Sequence, residues 1–254
     1  MKTWLICIDD TDDIGTKGTG EIAEEIVAKL ISAECGAVQS KRAITESVTR
    51  HQLFVHPDIP YTSHNSAMCF QIDSALGLEQ IKQICVAHLK QESAAAADPG
   101  LAILDLTSDY NQPQLIAFGQ QSKVEVKTKE QAYSLATELG VDLSEHGGTG
   151  QGIIGSLAGL GLRLSGQDGR VKGQLQLGLH IDESTQVQMN VADVLANTGL
   201  QAVISVDGER LADDQVLTLR GKIKAVYCQY QFALLVAQEA GLWVNASKQQ
   251  LKSY

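Results

Sequence analysis

The sequence predicts a mixed α+β protein, and three observations carry that prediction. Short apolar runs rich in β-branched residues alternate with stretches of helical periodicity through most of the 254 residues. Two of the helical stretches begin directly after polar loops, one acidic and one rich in glycine. Beyond Gly166 the texture changes to strand pairs joined by turns. The expected organisation is a larger domain over residues 1–165 followed by a smaller α+β domain over residues 166–254.

Taken in order, Trp4 to Ile8 is apolar enough for a buried strand, and it runs directly into the acidic stretch IDDTDD. From Gly20 to about Cys35, Ile22, Ile26, Val27, Leu30 and Ile31 recur at helical spacing. That leaves Glu21, Glu24 and Glu25 for solvent and for the helix N-terminus. The acidic loop therefore lies between the carboxyl end of a strand and a helix, where open α/β sheets bind ligands. An apolar segment near Leu53 to Val55 leads into a long loop, HPDIPYTSHNS, which holds two of the four prolines. AMCFQID reads as a strand and Leu76 to Lys90 as a helix, followed by an alanine-rich connector ending in DPG. LAILDL is a buried strand, and Thr128 to Leu139 a helix with Thr128 as its cap and Gly140 as its stop. After that helix and a polar turn, EHGG, the glycine-rich stretch HGGTGQGIIGSLAGLGLRL runs into a short apolar helix. In the second part GQDGRVKGQLQLGLHID and QAVISVDGERLADDQVLTLRGK read as strand pairs around a helical NVADVLANTG.

Composition narrows the classes. No apolar run approaches the length of a membrane span, and Met1 to Ile8 runs into acids with no cleavage-type region. Five cysteines, an odd number without a CxxC pair, argue against a disulfide framework or a zinc site and fit a reducing cytoplasm. A net charge of −10 is not the footprint of a protein built to grip nucleic acid. In VLTLRGKIKAV, a single strand would point Arg220, Lys222 and Lys224 to one side, as a local basic face or as a solvated sheet face.

Two loops carry the chemistry. Asp9, Asp10 and Asp12 could supply oxygens to Mg²⁺, a hard ion that completes its shell with water and phosphate, while the following helix N-terminus offers amides to a phosphate. Helix capping with solubility is one alternative, though it accounts for one or two acids rather than four. A calcium loop starting at Asp10 is another, but it puts Ile14 at a ligand position and a strand where a helix belongs. The second loop contains Gly150-x-Gly152-x-x-Gly155. It lacks the strand and the later acid of a dinucleotide fingerprint, and the lysine of a P-loop. It reads either as a phosphate-approaching loop at a helix N-terminus or as a flexible helix entry. Together the two loops suggest a clamp for ATP with Mg²⁺. Trp243 reads as core, and His56 and His64 as exposed loop residues outside the site.

IDDTDD, HPDIPYTSHNSAM, ADPGLAI and GGTGQGIIGSLAGLG occur in the order that resembles the tRNA(Ile) 2-agmatinylcytidine synthetase family. The resemblance covers roughly the first 165 residues well and the next 60 loosely. It implies an atypical kinase-like ATP-binding domain at residues 1–165 and a ferredoxin-like domain after it, with the family's OB-fold and zinc ribbon absent from this chain. It implies ligase-type tRNA modification chemistry, in which ATP phosphorylates a cytidine oxygen and agmatine displaces the phosphate. Asp9, Asp10 and Asp12 would serve the ATP-bound Mg²⁺, and Gly148, Thr149, Gly150, Gly152 and Gly155 the nucleotide. Thr19 is the one survivor of the family's Cys-Thr-Thr stretch, where a threonine is phosphorylated, and it reads equally as a helix cap. Asn65 matches the asparagine of an RGN stretch whose arginine is missing, with Ser63 and His64 nearby instead.

The leading expectation is an ATP- and Mg²⁺-dependent phosphoryl-transfer enzyme, with Asp9, Asp10, Asp12 and Thr19 doing the chemistry. Its acceptor would be a small molecule or a cytidine-containing RNA, with tRNA disfavoured by the acidic charge and a homodimer or partner subunit left open. The alternatives are a non-catalytic nucleotide-binding subunit or sensor, and an NAD-dependent oxidoreductase resting on Gly150 to Gly155.

Overall fold

Alternation along the first strand decides the architecture. The computed structural model describes residues 1–35, 44–59, 65–178 and 186–254, which divide into two compact units, Met1–Ser165 and Gly166–Tyr254. In strand β1 (Lys2–Asp9), Trp4, Ile6 and Ile8 point into one hydrophobic cluster and Leu5 and Cys7 into another. A strand with apolar residues on both faces must be covered on both.

The first unit continues with α1 (Thr19–Cys35), β2 (Thr49–Gln52), β3 (Ser66–Ser74), α2 (Leu78–Glu92) and β4 (Gly100–Asp105). It ends with α3 (Gln112–Gln121), α4 (Lys129–Leu139), β5 (Asp142–Glu145) and α5 (Gly152–Leu164). Its strands lie in the order β5-β4-β1-β3-β2, every pairing antiparallel. Helices α1 and α2 cover the Trp4 face through Ile22, Ile26, Leu30, Ile81, Cys85 and Leu89. Helix α5 covers the Leu5 face, and α3 and α4 join the same cluster.

Local chemistry supports these elements. Helix α4 has the reciprocal cap its sequence announces: Gln131 donates its amide to Thr128 Oγ1 at 3.3 Å, and the Thr128 amide donates to Gln131 Oε1 at 3.0 Å. Gly140 closes the helix at φ 68°. Helix α5 carries Gly152, Gly155, Gly159 and Gly161, each about 1 kcal/mol poorer than alanine in a helix. It persists because it is buried on nearly every side. A Cβ at Gly159 would overlap the Cys7 thiol, and one at Gly161 the Leu115 carbonyl of α3.

The second unit holds β6 (Arg170–Val171), β7 (Gln186–Asn190), α6 (Val191–Thr198), β8 (Ala202–Ser205), β9 (Val216–Arg220), β10 (Ala225–Cys228), β11 (Gln231–Glu239) and β12 (Leu242–Asn245). Its strands run β6-β10-β11-β12-β9-β7, with β8 parallel to β11 and β9 parallel to β12. No helix among the described residues is long and apolar enough to cross a membrane.

Several expectations change. The ferredoxin-like arrangement assigned to residues 166–254 needs two helices on an antiparallel sheet. That unit has one α-helix among its described residues and two parallel strand pairs. The split βαβ order lies instead in the first unit, where β1-α1-β2-β3-α2-β4 gives the sheet order β4-β1-β3-β2. Because that sheet is antiparallel, the open parallel-sheet rule does not explain the acidic loop at the end of β1. A strand, β5, directly precedes the glycine loop where a helix and polar turn were expected. VLTLRGKIKAV is two strands broken at Gly221, φ 61°, so its three cations share no strand face. Trp243 is half-buried rather than core. Ser63, His64 and the LHID stretch lie outside the described residues.

Candidate nucleotide and metal site

The acidic loop leaves β1 through Asp10, whose φ of 52° turns the chain sharply out of the sheet. Its four aspartates divide their work. Asp13 builds the turn: Thr16 Oγ1 accepts from its amide at 2.8 Å, and Asp13 Oδ1 accepts from the Ile14 amide at 2.7 Å. Asp12 Oδ1 accepts from Thr19 Oγ1 at 2.9 Å, which ties the loop to the first residue of α1. Thr19 thus spends its hydroxyl on Asp12. Lys17 anchors the far side, with Nζ 2.7 Å from Glu25 of α1 and 2.5 Å from Glu92 of α2. Buried His88 places Nε2 2.7 Å from the same Glu25.

Asp9 and Asp10 are tied to the backbone instead: the Asp9 carboxylate accepts from the Asp10 amide, and the Asp10 carboxylate from the Asp98 amide. Asp9 is 7% exposed, and a Cβ at Gly155 of α5 would overlap its carboxylate. Burial pushes its pKa up to about 8, with repulsion from Asp10 adding to the effect. Asp10 is pushed up to about 6 by burial, then by the charges of Asp98 and Asp12. What opposes each rise is a backbone amide, that of Asp10 at Asp9 and that of Asp98 at Asp10. Carboxylates raised first by burial and then by neighbouring acidic charge are a hard-oxygen donor set that fits Mg²⁺. Among the described residues no group of three His, Cys, Asp or Glu side chains forms a ready-made metal cage. Mg²⁺ beside a polyphosphate needs only one or two carboxylates, whereas a calcium loop needs a cage, and here a strand precedes the loop.

The glycine loop meets this cluster. Gly152 of α5 packs so closely on β4 that a Cβ would overlap the Asp98 carbonyl, and its amide donates to that carbonyl at 3.1 Å. Asp98, at the entry to β4, is the residue that sequence reasoning missed. Its carboxylate accepts from the Thr149 amide at 2.7 Å, from the Thr149 hydroxyl, and from the Gln151 amide at 3.4 Å. Gly148 (φ 52°) and Gly150 (φ 75°) are left-handed, and a Cβ would strike the Asp98 carboxylate at the first and the Glu145 carboxylate at the second. Lys129 of α4 bridges Glu145 at 2.7 Å and the Thr149 carbonyl at 2.8 Å. Much of the glycine signature is therefore wrapping around internal carboxylates. The one available signal for Asp98 was the ADPG turn itself.

The structure brings Asp9, Asp10, Asp12, Thr19, Gly148, Thr149, Gly150, Gly152 and Gly155 together in two adjoining loops and the strand and helix ends that flank them. Asn65 is spent elsewhere, its side-chain amide donating to the Phe54 carbonyl at 2.7 Å. The dinucleotide reading finds no parallel βαβ unit around Gly150 to Gly155, since β5 is an antiparallel edge strand.

No family model matches the chain, and no curated protein matches it by sequence. Solved structures do match. A tRNA fluorescent labeling enzyme superposes with a TM-score of 0.50 at 21% identity. TiaS, solved as a complex with an isoleucine tRNA and ATP, does so with a TM-score of 0.50 at 18% identity. The fold resembles that of TiaS. Each match covers 63% of this chain and 36% of the other, so the TiaS-like part spans about a third of those proteins. At such identities the likeness speaks for the fold, and the chemistry must be argued from the residues.

Proposed function

We propose that the chain is an ATP- and Mg²⁺-dependent phosphoryl-transfer enzyme, kinase-like in mechanism and belonging to RNA-modification or related nucleoside chemistry. The observation that carries this reading is the Asp9–Asp10 pair at the foot of α5, where Asp9 lies against Gly155 and both carboxylates are raised by burial and then by neighbouring aspartates. Asp9 and Asp10 would hold the divalent cation, with Asp12 adding an oxygen. When bound, that cation supplies charge neutralisation for the phosphates. The chain's own residues do the rest. Thr19, whose hydroxyl donates to Asp12, orients that carboxylate at the head of α1, and the α5 N-terminus adds positive potential. Gly152 and Gly155 keep the α5 backbone close enough to Asp9 for one ligand to touch both loops.

TiaS and the labeling enzyme are described with tRNA, and TiaS with ATP, which supports a nucleotide and a nucleoside-containing acceptor here. In this reading residues 1–165 carry the ATP chemistry, and residues 166–254 serve the acceptor or a partner subunit. Titration calorimetry of ATP with Mg²⁺ into wild type and Asp10→Ala tests the proposal. Binding in the wild type with at least tenfold loss in the variant is expected, since a metal-bound carboxylate carries more than about 1.4 kcal/mol of the affinity. Equal affinity in both would refute the site.

A second reading, a nucleotide-binding subunit without turnover, is favoured by one observation: Asp98 already takes amides that a catalytic loop would offer to phosphate. Asp12→Asn separates the two. An enzyme should lose turnover far more than ATP affinity.

A further inference from the structure

The loop between β5 and α5 raises a question of charge. Two of its amides, those of Thr149 and Gln151, donate to a carboxylate from the chain itself. Asp98 accepts from the Thr149 amide, the Thr149 hydroxyl and the Gln151 amide, and Gly148 is left-handed around it. Three donors on one carboxylate imitate what a helix N-terminus does for an anion. Asp98 also reaches the other loop, because its backbone amide donates to Asp10. Glu145 stands on the far side of the same loop, neutralised by Lys129. Among the described residues the Asp98 carboxylate is held by neutral donors, and the charge of Lys129 adds to them in keeping it below its ordinary range.

We propose that Asp98 is the residue that makes nucleotide binding at this site depend on a divalent cation. The inference rests on the nucleotide reading above and adds to it a specificity-determining residue. A polyphosphate arriving alone meets the carboxylates of Asp9, Asp10, Asp12 and Asp98, and finds the Thr149 and Gln151 amides engaged. A polyphosphate arriving with a cation is charge-matched to the aspartates and has no need of those amides. Metal-free phosphate esters are thereby excluded by an internal competitor.

The test uses the full chain and two probes, sodium tripolyphosphate with EDTA and ATP with Mg²⁺, in titration calorimetry with a thermal melt of each protein. Asp98→Asn removes the charge at nearly constant volume. Asp98→Ser is a second neutral variant that leaves the seat open. Thr149→Val keeps the Asp98 charge and both amides, and controls for a loosened loop. The expected result is a gain of about tenfold in metal-free tripolyphosphate affinity in Asp98→Asn or Asp98→Ser. The ATP–Mg²⁺ affinity should change by less than about threefold, and Thr149→Val should give no gain.

A merely structural pin behaves differently. Neutral variants would then bind both probes more weakly, or fail to fold, and either result overturns the proposal. So does an equal gain in Thr149→Val. The two readings also fail separately. Absence of ATP–Mg²⁺ binding in the wild type would sink the nucleotide site, while the tripolyphosphate gain would still show that Asp98 guards an anion seat.

Discussion

Asp9 shows how one buried carboxyl can make a loop costly to build. Its carboxyl is raised to about 8 in the fold from an ordinary value of 3.8, so the folded chain keeps a proton that the unfolded chain releases. Between about pH 4 and pH 8 the unfolded state binds fewer protons, and stability therefore falls as pH rises through that window. Asp10, raised to about 6, adds to the same slope over the lower half of the window. Asp98, Asp105 and Glu145 are held below their ordinary values, so what they contribute is lost only as pH falls below the ordinary carboxylate range. A tenfold change in a carboxyl's proton affinity is worth about 1.4 kcal/mol, and each kcal/mol moves the melting temperature of a domain of this size by about 3 °C. Without metal, the wild type should thus melt several degrees lower at pH 8 than at pH 5, and Asp9→Asn should flatten that difference. A melting curve that is level across the window in wild type would show that Asp9 titrates normally and that the site is not strained.

Helix α5 carries the corresponding prediction among the elements. Gly155→Ala places a methyl against the Asp9 carboxylate, and Gly161→Ala places one against the Leu115 carbonyl on the α3 side. Each is an overpacking change of about 1–3 kcal/mol. Both should lower the melting temperature, but only Gly155→Ala should weaken ATP–Mg²⁺ binding beyond what the stability loss accounts for. Similar binding losses in both would mean that α5 packing as a whole, rather than its contact with Asp9, governs the site. The elements legible in the sequence are those with a full face to bury. Helix α1 showed Ile22, Ile26 and Leu30, α4 showed its caps, and β1 and β4 were continuous apolar runs. Helix α3 was missed among glutamines, although Asn111 caps it and Leu115, Phe118 and Gly119 form its buried stripe. Strand β5 was missed because DLSE, an edge strand, has no apolar run to announce it. Both loops of the site were legible as local composition. The role of Asp98 was not, because its partner Thr149 lies 51 residues away and only the folded sheet brings β4 beside α5.

Across the whole molecule, charge decides what the chain can hold unaided. Its net charge is −10, and the cations that one strand was expected to align are separated. Arg220 at the end of β9 is 2.5 Å from Glu239 of β11, which spends its charge inside the second unit. Nucleic-acid affinity comes mostly from releasing counterions at phosphates, which needs unspent cations in a row. The TiaS-like part spans about a third of the solved proteins it resembles, which are described with tRNA. The prediction is that this chain alone shifts no tRNA in a gel at about 150 mM salt up to micromolar protein, about the tight limit of non-specific binding. Lowering the salt should rescue little, because a steep salt dependence requires many phosphate contacts. Adding ATP with Mg²⁺ should leave this unchanged, since under the proposed function the nucleotide adds negative charge and no cation of the chain's own. Micromolar binding at that salt, steepening as salt falls, would overturn the argument and place a basic RNA-facing surface on this chain. Its absence would direct the search for the acceptor toward small nucleosides, or toward a second subunit that brings the RNA.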